Sequence, residues 1–323
     1  MPEPSLPGAA DRLTPNDPSG LQRRLTALLQ SSPAPTICAA RQGIDGGDVI
    51  VAGAPLLEHV RTRIAALQRS GMRRGDILAS GESGIGRVVD ALASILGEFT
   101  YWPCSDQRRV ADGALVSDSR APLIWRPNPL VGVSLSPGLP HEPPAALPMR
   151  LSIALDDLMR PCGPQVRVLC DADTTSVAPF AVNAQTIARL GSTMRRRLAI
   201  RRQSIRYCAA PAESAAGVLL DLLPGIAARQ VIVIPNELHP SSTTIVRAIA
   251  RYRPDSLTLT RAQSEALIGT PIDDDARTVL QQVSLLIADT GPIPTDLRAH
   301  LATLVSRVNV AYILPEAGDV VLM

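Results

Sequence analysis

The stretch that decides the fold is Leu57–Pro103, LEHVRTRIAALQRSGMRRGDILASGESGIGRVVDALASILGEFTYWP. Apolar residues recur at helical spacing at Leu57, Val60, Ile64 and Leu67, which predicts an amphipathic helix over 56–70 with Gly71 as its C-cap. An apolar strand over 76–79, a helix over 88–96 and a strand over 99–102 follow. Two adjacent helix–strand units of this kind indicate an α/β fold with largely parallel sheets.

The same alternation continues on both sides of this stretch. A strand over 49–51 precedes it, and further elements follow over 166–170, 184–198, 217–228, 231–234, 243–252, 256–260, 285–288 and 294–305. Residues 1–34 are predicted to form a flexible tail with at most a short helix over 21–29. Residues 35–323 are predicted to form one large domain of two α/β subdomains, joined by an irregular proline-rich connection at about 120–150.

The composition is that of a globular protein. Hydrophobic residues make up 46% of the chain, charged residues 19%, and the formal net charge is +2, which does not favour nucleic acid or an anionic membrane as a partner. The sequence has no signal-like start and no apolar run long enough to span a bilayer, so a cytoplasmic location is expected. All 32 basic residues are arginines, so no lysine is present to act as a compact ammonium donor or to form a Schiff base.

The five cysteines are widely spaced and form no metal-ligand pattern with histidine: Cys38, Cys104, Cys162, Cys170 and Cys208. The four histidines lie far apart in the sequence, and Ser83 does not fit the nucleophile motif of α/β-hydrolases. Neither residue type therefore predicts a metal site or a catalytic triad.

Several segments resemble the adenylate-forming superfamily, which includes acyl-CoA synthetases, peptide-synthetase adenylation domains and luciferases. Gly71–Ile77 is similar to that family's "G-v-r-p-G-D-r-v" turn, and Asp90–Pro103 is similar to its next unit, "l-A-i-l-k-a-G-a-v-y-v-P". The resemblance implies the layered αβαβα large domain of such ligases. It also implies C-terminal truncation, since the lysine-bearing C-terminal domain of the family has no counterpart here.

The resemblance implies a vestigial nucleotide site. The family's phosphate loop, T-S-G-T-T-G-x-P-K-G, matches residues 171–181, where the hydroxyls of Thr174, Thr175 and Ser176 remain. Every glycine of that loop is replaced, and Phe180 stands at the lysine position. Without glycine, the backbone resists the conformations that turn several N–H groups toward one anion. An intact phosphate grip is therefore not expected.

The remaining motifs of the family are also altered. Gly291 lies in the turn that matches the adenine pocket, and Tyr312 and Glu316 match the family's Y-G-x-T-E motif. The resemblance implies that Tyr312 could stack on adenine and that Glu316 could hold Mg²⁺. Pro315 replaces the threonine of that motif and has no N–H to donate. Mg-ATP or AMP is expected as a cofactor only if this vestigial site still binds.

The favoured interpretation is a non-catalytic, AMP-binding-like protein that binds a partner. The partner would be a full-length ligase, an acyl carrier protein or a second copy of the chain. The alternatives are a subunit of a split adenylate-forming ligase and a sensor that binds nucleotide or an acyl group without turnover. A weaker alternative is an arginine-rich nucleic-acid binder.

Two local features are candidates for binding anionic partners. The arginines Arg195, Arg196, Arg197, Arg201 and Arg202, with Arg206 nearby, are the strongest cluster of charge and are predicted to bind an acidic partner. Residues 81–88, GESGIGRV, approach a phosphate-binding P-loop, but Arg87 and Val88 replace its lysine and hydroxyl residues. A P-loop nucleoside triphosphatase is accordingly disfavoured, although a loosely held anion at this helix start is compatible with the sequence.

Overall fold

The computed structural model describes residues 18–39, 48–80, 82, 84–103, 123–128, 132–135, 167–170, 180–183, 186–187, 190, 193–194, 196, 201, 203–211, 214–235, 237, 239–289, 291–314 and 319–322. These residues form strands β1 Thr36–Ala39, β2 Val49–Ala52, β3 Ile77–Ser80, β4 Thr100–Pro103, β5 Leu123–Asn128, β6 Gly132–Leu135, β7 Arg167–Cys170, β8 Phe180–Asn183, β9 Ile205–Tyr207, β10 Val231–Ile234, β11 Ser256–Thr260, β12 Ser284–Asp289, β13 Arg307–Leu314 and β14 Asp319–Leu322. The helices are α1 Pro18–Gln30, α2 Gly53–Arg69, α3 Gly84–Gly97, α4 Leu223–Ala227, α5 Ser242–Tyr252, α6 Arg261–Ile268, α7 Asp274–Leu280 and α8 Thr295–Leu304. A π-helical segment, Ala216–Leu222, leads directly into α4.

The strands form two sheets. The larger has eight strands in the order β14-β13-β12-β11-β9-β10-β1-β2. Its inner strands are parallel, and only the edge strands β2 and β14 run antiparallel to their neighbours. The smaller has six strands in the order β6-β5-β3-β4-β7-β8, with β3, β4 and β7 parallel. This is the parallel-rich α/β architecture that the strand–helix alternation predicted.

The helices bury both faces of the larger sheet. One core joins α1, α2, α3 and the π-helical segment to residues of both sheets, such as Ile232 in β10 and Tyr101 in β4. A second core packs α5 to α8 against the opposite face of the larger sheet, around residues such as Ile249 and Leu285. The described residues therefore form four of the five expected layers: outer helices, eight-stranded sheet, inner helices and six-stranded sheet.

A buried carboxylate ties the inner helices to the smaller sheet. Asp90 in α3 is 2% exposed and accepts hydrogen bonds from Arg63 Nε in α2 at 2.6 Å and from Ser80 Oγ at the end of β3 at 2.7 Å. Because both partners donate to the charged form, burial of this carboxylate is compensated. The arrangement fixes where α3 starts relative to β3.

The structure corrects several sequence-based expectations. Helix α1 is not part of a tail, because Leu25 and Leu29 are buried in the core of the inner layer. Within the predicted irregular connection, β5 and β6 form an antiparallel hairpin that extends the smaller sheet. The prolines of this stretch had indicated irregular structure. Pro127 of β5 pairs with Val133 of β6, and β6 is an edge strand of the smaller sheet. A missing backbone N–H is tolerated near a sheet edge.

Other elements agree with the prediction or extend it. The described residues between 184 and 198 are helical, and Gly71 follows α2 with φ +88, as a glycine after a helix should. Helix α3 begins at Gly84, four positions earlier than the apolar pattern alone predicted. Helices α6 and α7 were not predicted. Both begin at a capping residue, Thr260 and Asp273 respectively, whose side chain accepts a backbone N–H.

Candidate functional site

The larger sheet has a switch in strand order beside β9. After β9 the chain enters the π-helical segment on the inner face, whereas after the neighbouring strand β11 it enters α6 on the outer face. Connections that leave adjacent parallel strands toward opposite faces open a crevice at the carboxyl ends of those strands. This crevice is the candidate site, and it is bordered by residues 208–211 after β9 and by the start of α6.

The floor of this site contains a fully buried ion pair. Arg206 in β9 and Asp221 in the π-helical segment are both 0% exposed, and Arg206 Nε lies 3.2 Å from Asp221 Oδ1. Arg206 also donates to Leu220 O at 2.7 Å, Thr258 Oγ1 at 3.1 Å and Ser256 Oγ at 3.3 Å. Burial raises the pKa of Asp221 to about 6, against the opposing effect of the Arg206 charge.

The loop after β9 is held in place by this pair and by α6. Asp221 Oδ2 accepts a hydrogen bond from Ala210 N at 3.3 Å, and Gln263 of α6 donates to Ala209 O at 2.7 Å. Ser214 Oγ accepts from Gly217 N at 3.1 Å and so caps the start of the π-helical segment. The described residues of this loop are therefore held at Ala209, Ala210 and Ser214, and a binding surface requires such rigidity.

A second buried guanidinium, that of Arg87, contacts the π-helical segment as Arg206 does. Arg87 in the first turn of α3 is 3% exposed, and its Nη2 donates to Gly217 O at 3.0 Å. Its Nε is buried and has no hydrogen-bond partner. Nearby, burial raises the pKa of Cys208, which is 1% exposed, so this thiol stays protonated at neutral pH. The cysteine is therefore a small packed side chain and not a nucleophile.

The structure brings two of the predicted nucleotide-site residues to the carboxyl edge of the larger sheet. Tyr312 pairs in register with Asp289 near the ends of β13 and β12, and Gly291 follows Asp289 two positions later. Tyr312 is half-buried. Thr174, Thr175, Ser176 and Glu316 lie outside the described residues.

Known structures share this architecture. The N-terminal subdomain of NpsA from Klebsiella oxytoca, in complex with 3-hydroxybenzoyl-AMSN, aligns with a TM-score of 0.62 at 14% identity over 94% of this chain and 75% of that one. ATP-bound MatB from Rhodopseudomonas palustris gives 0.61 at 14% identity over 91% of this chain, and VinN in complex with L-aspartate gives 0.61 at 13% over 94% of this chain and 78% of that one. The chain has the fold of the N-terminal large domain of adenylate-forming ligases.

This agreement concerns the fold. The chain spans about 60% of the length of MatB. No family model matches the sequence, and no curated protein matches it either. The recognition made from Gly71–Ile77 and Asp90–Pro103 is thus confirmed as a fold relationship, with identities near 14%.

The fold places the ends of the segment that matches the phosphate loop. Cys170 ends β7 and Phe180 begins β8, and these two residues pair in antiparallel register. Residues 171–179, which lie outside the described part, therefore connect two adjacent strands of the smaller sheet. Phe180, at the position of the family's lysine, belongs to the strand itself.

The arginine cluster divides into surface and core residues. Arg196 and Arg201 are exposed, and Arg195, Arg197 and Arg202 lie outside the described residues. Arg206 had been grouped with them as surface charge, but it is wholly buried against Asp221. The sequence could not separate these cases, because the partner of Arg206 lies fifteen residues away on another element.

The P-loop alternative is wrong for the described residues of 81–88. A P-loop basic residue must reach a phosphate, whereas Arg87 is buried and bonded to the carbonyl of Gly217. The part of the chain that the structure describes contains no group of three or more residues that could hold a metal ion, and none of its helices is long and apolar enough to cross a membrane.

Proposed function

We propose that this chain is a non-catalytic relative of the adenylate-forming ligases that acts by binding a protein partner, either a full-length ligase or an acyl carrier protein. One observation carries the proposal. The chain has the strand pair β7–β8 that flanks the segment matching the phosphate loop, yet Phe180 stands at the lysine position and the sequence contains no lysine at all. A triphosphate needs a cation and convergent N–H donors at that place, and the sequence of residues 171–181 contains no basic residue and no glycine.

The buried arginines do not replace the missing lysine. The Arg206 guanidinium donates hydrogen bonds to Asp221, to Leu220 O and to two hydroxyl groups inside the core. Arg87 is buried against the π-helical segment. Neither guanidinium can move to a substrate without breaking contacts between the layers of the fold.

Exposed arginines support the choice of an acidic partner. Arg196 is a helical residue and Arg201 precedes β9, and both side chains are exposed. Closely spaced guanidinium groups favour association with a carboxylate-rich surface and steer it at long range. Acyl carrier proteins, which the resemblance implies as partners, fit this description when their docking helix is acidic.

The catalytic half of the proposal is tested with Mg-ATP. The purified chain should give no binding heat in a calorimeter and no acyl-adenylate with a panel of fatty, amino and aryl acids. Formation of an acyl-adenylate by the isolated chain would contradict the proposal directly.

The partner half is tested by charge reversal. Binding of a purified acyl carrier protein should weaken on Arg196→Glu and Arg201→Glu, and the weakening should shrink at high salt. Arg298→Glu is the matched control, because Arg298 is exposed on α8, on the opposite face of the larger sheet. Equal loss in all three variants, or none, would refute a role for this surface.

A second candidate is the nucleotide-binding subunit of a split ligase, and one observation favours it. Tyr312 and Gly291 do reach the same edge of the larger sheet beside Asp289. Mg-ATP binding by the isolated chain in the micromolar range, equivalent to about 8 kcal/mol, would support this candidate. Acyl-adenylate formed only after a separate lysine-bearing domain is added would establish it.

A further inference from the structure

The charged residues are distributed unevenly over the helices. Helices α1 and α2 and the turn 70–75 that follows α2 contain seven arginines and one carboxylate, that of Glu58. Helices α5 to α8, which cover the other face of the larger sheet, contain five arginines and four carboxylates. The excess of positive charge on α1 and α2 is therefore a local feature and not a general result of the use of arginine as the only basic residue.

Six of these seven arginines are exposed. The exception is Arg63, which is bound to the buried carboxylate of Asp90, with its Nε 2.6 Å from Asp90 Oδ1. The six exposed residues define the basic face: Arg23, Arg24, Arg61, Arg69, Arg73 and Arg74.

Glu98 brings α1 and the turn after α2 together. Gln22 Nε2 of α1 donates to Glu98 Oε1 at 3.3 Å, and Arg74 Nε lies 3.1 Å from Glu98 Oε2. The turn is also bound through its backbone, since Gly75 N donates to Glu98 O at 2.8 Å. The segments that carry the arginine pairs of α1 and of the turn are therefore neighbours, and the basic face is continuous from α1 to the end of α2.

Arg61 and Arg69 give the basic face a defined spacing. They lie on the same side of α2 with the exposed Ala65 between them, and Arg69 Nε donates to Ala65 O at 3.3 Å. Eight positions correspond to about 12 Å, or two turns, of a helix. A second helix with carboxylates two turns apart can therefore pair with both guanidinium groups, whose planar N–H donors match carboxylate oxygens.

The basic face favours a protein partner over a nucleic acid or a membrane. Residues 18–75 contain no aromatic side chain on which a base could stack. Among the described residues the exposed large hydrophobic side chains are Ile50 and Val321, and neither belongs to α1, α2 or the turn. The described part of the basic face thus offers no large apolar group for insertion into a bilayer.

We propose that the basic face is a docking site for an acidic helix of a protein partner, whose carboxylates two turns apart pair with Arg61 and Arg69. Binding of such a helix relieves the mutual repulsion of the exposed guanidinium groups and steers the encounter at long range. The face includes neither Arg196 nor Arg201, so it is a second surface beyond the one in the proposed function, and different variants test it.

Two synthetic peptides are the probes. Both are alanine-rich helices of about 20 residues with the same number of glutamates. The stripe peptide has its glutamates at positions i, i+4 and i+8, on one side of the helix, whereas the dispersed peptide has them spread around it. Fluorescence anisotropy at low ionic strength should show tighter binding of the stripe peptide by the whole chain, and the affinity should fall as salt is added.

Charge reversal on α2 tests the residues. Arg61→Glu/Arg69→Glu should weaken binding of the stripe peptide about tenfold or more. Glu58→Gln should strengthen it, because this change removes the one carboxylate of α2. Arg247→Glu/Arg298→Glu is the matched control and should change nothing, because both arginines are exposed but lie on α5 and α8.

The outcomes separate this docking site from the proposed function. Arg196→Glu/Arg201→Glu should bind the stripe peptide as tightly as the wild-type chain does. Equal affinity for the two peptides, no binding of either, or the same loss in the matched control would overturn the proposal. Tighter binding of duplex DNA than of the stripe peptide, lost in Arg61→Glu/Arg69→Glu, would assign the basic face to nucleic acid instead. If that double variant unfolds at a lower urea concentration than the wild-type chain, Arg61→Gln/Arg69→Gln is measured in its place against the same criteria.

Discussion

Removing Arg206 should destabilise the fold more than any other single truncation of an arginine. In Arg206→Met the carboxylate of Asp221, which is 0% exposed, loses its counter-ion, and Leu220 O and Thr258 Oγ1 lose the donor that lies 2.7 and 3.1 Å away. Breaking one side of a buried pair typically costs about 3–5 kcal/mol. That is a large part of the roughly 5–15 kcal/mol that stabilises a typical domain.

The magnitude should depend on pH in a defined direction. Loss of the Arg206 charge raises the pKa of Asp221 above its present value of about 6, so the variant can neutralise the orphaned carboxyl by binding a proton. The loss in free energy of unfolding should therefore be smaller at pH 5 than at pH 7.5. The double variant Arg206→Met/Asp221→Leu should recover most of the loss, because no uncompensated charge remains.

Urea denaturation followed by circular dichroism at both pH values measures these differences. Arg201→Met is the matched control, since Arg201 is exposed and its replacement should change stability by no more than about 0.5 kcal/mol. A loss below about 1 kcal/mol for Arg206→Met at pH 7.5, or no recovery in the double variant, would show that the pair does not carry the stability assigned to it.

Three further predictions follow from single residues. Gly217→Ala should lower the free energy of unfolding, measured in urea, by about 2 kcal/mol or more, because the added Cβ would lie 2.1 Å from Pro211 O. Gly225→Ala should lower it less, because the nearest atom to its added Cβ is a side-chain atom of Ile232 at 3.1 Å. A larger loss for Gly225→Ala than for Gly217→Ala would contradict this packing. Thr260→Ala should cost about 1 kcal/mol by removing the cap of α6, and an unchanged denaturation midpoint would contradict this. Since the folded pKa of Asp221 is raised from 3.8 to about 6, its contribution to stability is present below pH 4 and is lost as pH rises toward 6. The wild-type chain should thus lose up to about 3 kcal/mol relative to Asp221→Asn over that interval, and parallel stability–pH curves would refute the shift.

The sequence by itself determined the class of the fold. Apolar spacing in Leu57–Leu67, the glycine after α2 and the apolar runs of β10 and β12 are local signals, and each specifies an element without reference to a distant residue. The altered phosphate segment and the absence of lysine can likewise be seen in the sequence without a structure. The apolar spacing predicted the α/β class, and the resemblance of Gly71–Ile77 and Asp90–Pro103 predicted the fold that the structural comparisons confirm.

Only the tertiary structure decided what the charged residues do. Arg196 and Arg206 are equivalent in the sequence, as members of one basic cluster, but one is exposed and the other is buried against Asp221. Arg87 stood in a P-loop-like segment, yet it binds the carbonyl of Gly217, which lies 130 positions away. Burial and partner choice depend on which strands and helices become neighbours, and that information is carried by long-range packing, which no local pattern of residues contains.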